Sequence, residues 1–179
     1  MKAITKLILK IFLFPGTLFG LFMIAEDLFN GQGFHLIKFL SAFLFFGTAM
    51  TLLFVPYHIY KLKKNGVTSF TDESLSVRQS KLFKSSFNLQ ELTTQLKLDK
   101  RFSKMKILVS NNGLSFSSGL SWKSFGEEIK IYQKSCEDSQ YVYQVSSESV
   151  LKTTMIDYGR NLENVNQIGQ IIKTLPNTK

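Results

Sequence analysis

Asp157-Tyr158-Gly159-Arg160-Asn161 holds the residue types best suited to chemistry in this chain. A Gly, an Arg and an Asn at a strand-to-helix junction present backbone N–H groups and a guanidinium, which together can hold an anion. Gly159, Arg160 and Asn161 are therefore the candidate anion or partner contacts. Glu163, in the first turn of the helix that follows, works against an anion there. The same residues also make sense without a ligand. Gly159 supplies a turn, Asn161 caps the helix and Glu163 favours its positive end. Capping is the expected role.

Other constellations fall short of a reaction. Glu127 and Glu128 are adjacent, so on a strand they point to opposite faces and make a poor acid–base pair. Cys136 is the single cysteine, and both histidines, His35 and His58, lie far upstream of it. The chain therefore has no Cys–His pair within the soluble part, no triad and no cysteine cluster for a transition metal. No P-loop or dinucleotide glycine pattern occurs. Trp122 and Phe125 read as an aromatic pair filling a small core. The expectation is a non-enzymatic protein with no catalytic residue, cofactor or metal. One cysteine excludes an intramolecular disulfide and fits a reducing compartment.

The elements that position these residues start with a membrane part. Residues 39–60 contain no Asp, Glu, Lys or Arg. At about 1.5 Å per residue this run crosses a hydrocarbon core of about 30 Å. A weaker apolar run at about 11–29 precedes it, with Pro15 in its first turns. Met23-Ile24-Ala25 is a poor cleavage site, so this run reads as a retained helix rather than a signal peptide. Residues 1–64 then form a two-span hairpin, turned by Asn30-Gly31-Gln32-Gly33. Lys10 snorkels at one end, and Glu26 and Asp27 lie near the headgroups at the other. Gly16 with Gly20, and Gly47 with Thr51, make small-residue faces for helix packing, most simply between the two spans. His58, beside Tyr57 and Tyr60, reads as an interfacial anchor. It lies at the opposite end of the hairpin from His35, so the two make no metal pair.

The formal charge is +9. Lys2, Lys6 and Lys10 precede the first run, and Lys61, Lys63 and Lys64 follow the second. Basic residues flanking spans favour the cytoplasmic side. This predicts an inner-membrane protein with both termini cytoplasmic. Lys61, Lys63 and Lys64 are candidate contacts to anionic lipid. Further basic residues recur at Arg78, Lys81, Lys84, Lys97, Lys100, Arg101, Lys104 and Lys106. No RNP, KH or zinc pattern accompanies them, so nucleic acid is not the expected partner. Membrane lipid, with a protein partner or self-association, is.

Residues 65–86 read as a linker with an uncertain short element, and 87–179 as a cytosolic α+β domain. Asn88 and Glu91 form a variant capping box ahead of a Leu89, Leu92, Leu96 stripe. Ile107–Ser110 and Leu114–Ser117 read as a hairpin turned at Asn111-Asn112-Gly113. Strands follow at 127–133, 140–145 and 150–156, with a turn at 135–139 that contains Cys136. Leu162, Val165, Ile168, Ile171, Ile172 and Leu175 make one helical stripe, which Pro176 ends. The predicted architecture is a membrane α-helical hairpin plus a two-layer domain. In that domain a small antiparallel sheet is covered by a C-terminal helix.

The 126–131 and 141–145 strands and the closing 161–175 helix, set after a two-span hairpin, give an order that resembles bacterial membrane-anchored pleckstrin-homology-like proteins of unknown function. The resemblance implies a membrane-tethered binding domain and carries no functional residue across. Two rivals remain. One is a membrane effector whose soluble domain senses a ligand and rearranges the spans to perturb the bilayer. The other is a membrane-bound enzyme acting on an anionic substrate at Arg160.

Overall fold

The computed structural model describes residues 2–110, 112–119, 126–137 and 140–174. The chain divides into two compact units, Met1–Leu75 and Ser76–Lys179. Asn111, Trp122, Phe125, Leu175 and Pro176, to which the sequence assigns turn, core and helix-end roles, lie outside the described residues.

In the first unit, α1 (Lys2–Phe29) and α2 (Leu36–Lys64) pack as an antiparallel hairpin. Both are long and apolar enough to cross a membrane. They extend beyond the apolar runs at 11–29 and 39–60, because the flanking lysines are good helix formers and those in the last turn of α2 meet its negative end. Pro15 consequently lies inside α1 rather than in its first turns, and Pro56 lies inside α2. The glycines set the approach of the helices. A Cβ on Gly16 would meet the Phe43 carbonyl oxygen at 2.8 Å, and one on Gly47 would meet the Phe12 carbonyl oxygen at 2.7 Å. A Cβ on Gly20 would strike the Phe39 ring at 2.7 Å. Phe19 stacks on Phe46 with ring centroids 4.4 Å apart. The turn between the helices uses Gly31 at φ 74°, where a left-handed conformation favours glycine.

His58 departs from its expected interfacial place: it is fully buried in the hairpin. Its side of α2, with Val55 and Leu62, faces inward, whereas Tyr57 and Tyr60 face out. Residues beyond α2 fold with the same unit. Thr71 and Ser74 exchange backbone-to-hydroxyl hydrogen bonds, Leu75 is buried, and Lys6 pairs with Asp72 at 2.6 Å.

In the second unit, β1 (Gln79–Ser85), β2 (Lys106–Ser110), β3 (Gly113–Ser117), β4 (Glu127–Glu137) and β5 (Gln140–Ser149) form one antiparallel sheet in the order β1-β5-β4-β3-β2. α3 (Leu89–Leu98) and α4 (Arg160–Thr174) contribute to the core over one face. Leu92, Leu96, Phe102, Leu114, Phe116, Ile129, Ile131, Tyr143, Val145, Val165, Ile168 and Ile172 fill it. Period-two alternation puts Ile129 and Ile131, and Tyr143 and Val145, on the same side. Gly169 lets α4 close on β1, since a Cβ there would strike the Phe83 ring. The capping box is formed: Asn88 Oδ1 accepts from the Gln90 and Glu91 N–H groups, and Glu91 Oε2 accepts from the Asn88 N–H.

Three sequence expectations about the second unit are also corrected. The 65–86 segment is not wholly a linker, because Gln79–Ser85 is an edge strand. It is mostly Ser and Lys, with Leu82 and Phe83 alone apolar, so it shows no apolar alternation. Cys136 lies in β4 rather than in a turn. A register shift between Gln133 and Ser135 absorbs the irregularity, and the strand runs on to Glu137. No strand forms at 150–156. Among the described residues β5 is the last strand, already flanked by β1 and β4, so the apolar Val150 and Leu151 have no neighbour to pair with in the sheet.

Candidate functional site

The 157–161 junction sits where α4 leaves the sheet. Tyr158 at φ 53° and Gly159 at φ 71° form a left-handed turn. Asp157 organises it. Its Oδ1 accepts the Gly159 N–H at 3.0 Å, and its Oδ2 accepts the Asn161 N–H at 2.9 Å. Asp157 is therefore the cap, which corrects the assignment of that role to Asn161. Asn161 lies within the first turn and is fully buried. Its Oδ1 accepts from the Ser147 hydroxyl at 2.7 Å, and its Nδ2 donates to the Val77 carbonyl at 2.6 Å. Asn164 donates to the Ser147 hydroxyl at 3.1 Å. One polar seam thus ties α4 to β5 and to the approach of β1.

Arg160 points to the start of β4. Its Nε lies 3.0 Å from Glu127 Oε1, on a carboxylate only 3% exposed. The Ser118 hydroxyl donates to Glu127 Oε2 at 2.8 Å and accepts the Glu127 N–H at 2.7 Å. Glu128 faces the other way, into an ion pair with Lys130 at 3.0 Å. The structure thus brings Gly159, Arg160 and Asn161 together around two internal carboxylates. Asp157 holds two of the N–H groups that an anion would use, and Glu127 faces the guanidinium. Chemically this is a knot of charge-assisted hydrogen bonds that fixes the helix to the sheet.

The candidate lipid contacts lie at one end of the hairpin. Lys61 reaches over the Tyr57 ring at 5.6 Å, Lys63 lies 6.0 Å from the Phe70 ring centroid, and Lys64 is exposed. In an antiparallel pair, Lys2, Lys6 and Lys10 share that end. The helix-packing candidates Gly16, Gly20 and Gly47 face the partner helix within the hairpin. The Thr51 hydroxyl donates back to the Gly47 carbonyl at 2.8 Å.

Sequence reasoning missed two charged centres. At the loop end of the hairpin, buried Asp27 pairs with Lys38, and His35 stands 3.5 Å from it. An acid before the turn and a base after it was the available signal. On the sheet, Glu148 receives Arg78 and Lys152, the Lys152 pair at 3.0 Å. Desolvation opposes its charge, but the Lys152 and Arg78 hydrogen bonds hold its carboxyl below the usual value. Burial pushes the Tyr143 phenol above its ordinary range, and its hydroxyl donates to the Phe87 carbonyl at 2.8 Å. Cys136 is exposed. Among the described residues, no group of three or more His, Cys, Asp or Glu side chains gathers to hold a metal ion. Comparison with protein-family models, curated proteins and solved structures gives no match.

Proposed function

We propose that this chain is an inner-membrane protein with two spans and cytoplasmic termini, whose second unit is a non-catalytic domain that binds a protein partner at the membrane surface. The apolar exterior of the hairpin carries this reading. Phe22 is 64% exposed, Phe45 74% and Leu52 67%, while the packing glycines face inward. Such a surface is costly in water and ordinary in lipid. Six lysines at one end of the hairpin support the orientation, because basic flanks favour the cytoplasmic side and attract anionic headgroups. The closed charge knot at Arg160 and Glu127 supports a structural role there rather than a catalytic one. The resemblance to membrane-anchored pleckstrin-homology-like proteins stands on the same order of elements: hairpin, antiparallel sheet, closing helix.

Cys136 makes the test direct, because it is the single thiol and is exposed. A membrane-impermeant thiol reagent is applied to intact cells and to permeabilised cells. Labelling only after permeabilisation is the expected result. Labelling in intact cells would place the domain outside and reverse the orientation.

A further inference from the structure

The sheet order leaves β2 on an edge. Natural edge strands are usually blunted by charge, proline or a bulge. The opposite edge, β1, carries Lys81 and Lys84 within its span. In β2, Ile107-Leu108-Val109 runs uninterrupted, with a regular register to β3. Leu108 is 56% and Val109 62% exposed.

The ladder shows which backbone groups are open. The Ser118 N–H donates to the Glu127 carbonyl and the Gln133 N–H to the Asn112 carbonyl. With the β3–β4 register, even-numbered residues of β3 therefore bond toward β4, and Gly113, Ser115 and Ser117 bond toward β2. Their partners are Ser110, Leu108 and Lys106. It follows that Ile107 and Val109 direct their N–H and C=O groups to the open edge.

We propose that β2 pairs antiparallel with β2 of a second copy of this chain, joining two sheets edge to edge with Leu108 on the two-fold axis. In that register Ile107 of each copy faces Val109 of the other, and these are the residues with open backbone groups. They exchange hydrogen bonds on both sides of the axis. The two Leu108 residues form the intervening non-hydrogen-bonded pair, where side chains approach most closely. Lys106 faces Ser110, so no like charges oppose. The sequence Lys-Ile-Leu-Val-Ser is complementary to itself in the one register that also satisfies the ladder at full overlap. A five-residue ladder is a small contact, so it depends on both chains being held in one membrane, which raises their effective concentration. The inference thus rests on the membrane-tethered binding reading and names its partner.

The test uses the full chain in native membranes with Cys136→Ser as background. Leu108→Cys should give disulfide dimers on mild oxidation, at least about five-fold more than Val109→Cys, whose sulfurs are offset beyond bridging distance. Adding Val109→Pro removes an outward N–H without touching the β2–β3 bonds and should return cross-linking to background. Equal cross-linking of the two cysteine variants would overturn the proposal, as would persistence with Val109→Pro. Co-expressed Leu108→Cys and Leu82→Cys chains joining to each other would overturn it too, in favour of head-to-tail pairing of unlike edges. Absence of any dimer would leave a foreign partner and would also reject it. Labelling of unmodified Cys136 reads the membrane orientation separately, so failure of the pairing and failure of the topology are distinguishable.

Discussion

The Arg160–Glu127 contact has different consequences depending on which partner is removed. Glu127 is buried, so Arg160→Ala takes the guanidinium away from a carboxylate held out of water. The expected loss is about 2–3 kcal/mol, less than for a fully buried pair because Arg160 is partly exposed. Adding Glu127→Gln removes the stranded charge and should recover part of that loss. Chemical unfolding of the detergent-solubilised protein measures both, and additive losses would refute the coupling. Glu148 gives a pH signature. Its folded carboxyl lies below the ordinary value of 4.5. The unfolded chain therefore takes up the proton first as pH falls. The stabilisation is complete above 4.5 and is lost as pH drops through the folded value. Glu148→Gln should be less stable than the parent at neutral pH and should converge with it in acid.

Among the elements, the close approach of the two hairpin helices depends on three glycines, Gly16, Gly20 and Gly47. Gly47→Leu would drive a side chain into the Phe12 carbonyl and Gly16→Leu into the Phe43 carbonyl. Each should destabilise the solubilised hairpin by about 1–3 kcal/mol or more, by the rule for overpacked sites. Gly33→Ala, with nothing within 4 Å, should be neutral, and thermal unfolding of the detergent-solubilised variants measures all three. This also bears on the membrane-effector rival. Loss of a toxic effect in a Gly16 and Gly20 variant would report a broken hairpin as readily as a lost association face. Sequence resolved elements in proportion to their apolar contrast. α2, α3 and α4 announced themselves because uncharged length, a capping box and a three-four stripe are local signals. β1 did not, because its side chains are mostly Ser and Lys and its place is fixed by β5 and by Phe83 against Gly169. At the junction, Gly159 was legible as a turn, but its cap was not. Asp157 and Asn161 both suit capping, and only tertiary contacts with Ser147 and Val77 assign Asn161 to the seam instead.

For the whole molecule, the consequence concerns where the second unit begins. Composition put its start at 87, where the Asn88 capping box opens. Spatial division puts it at Ser76. The difference of eleven residues contains all of β1, whose seven residues pair with β5 from Gln79 opposite Ser147 to Ser85 opposite Tyr141. It also contains Val77, whose carbonyl takes the Asn161 amide, and Phe83, which fills the space left at Gly169. A fragment of residues 76–179 retains these contacts and should unfold cooperatively as a soluble species. A fragment of residues 87–179 would expose the backbone edge of β5, take from the buried Asn161 amide its shorter acceptor, the Val77 carbonyl, and open a hole beside Gly169. Unpaired strand edges and lost core packing both favour aggregation. The shorter fragment should therefore aggregate or lose its thermal transition. Circular dichroism melting with size-exclusion chromatography decides the matter. Equal cooperativity in the two fragments would mean that β1 is an accessory strand, and that the four remaining strands with α3 and α4 make a self-sufficient core.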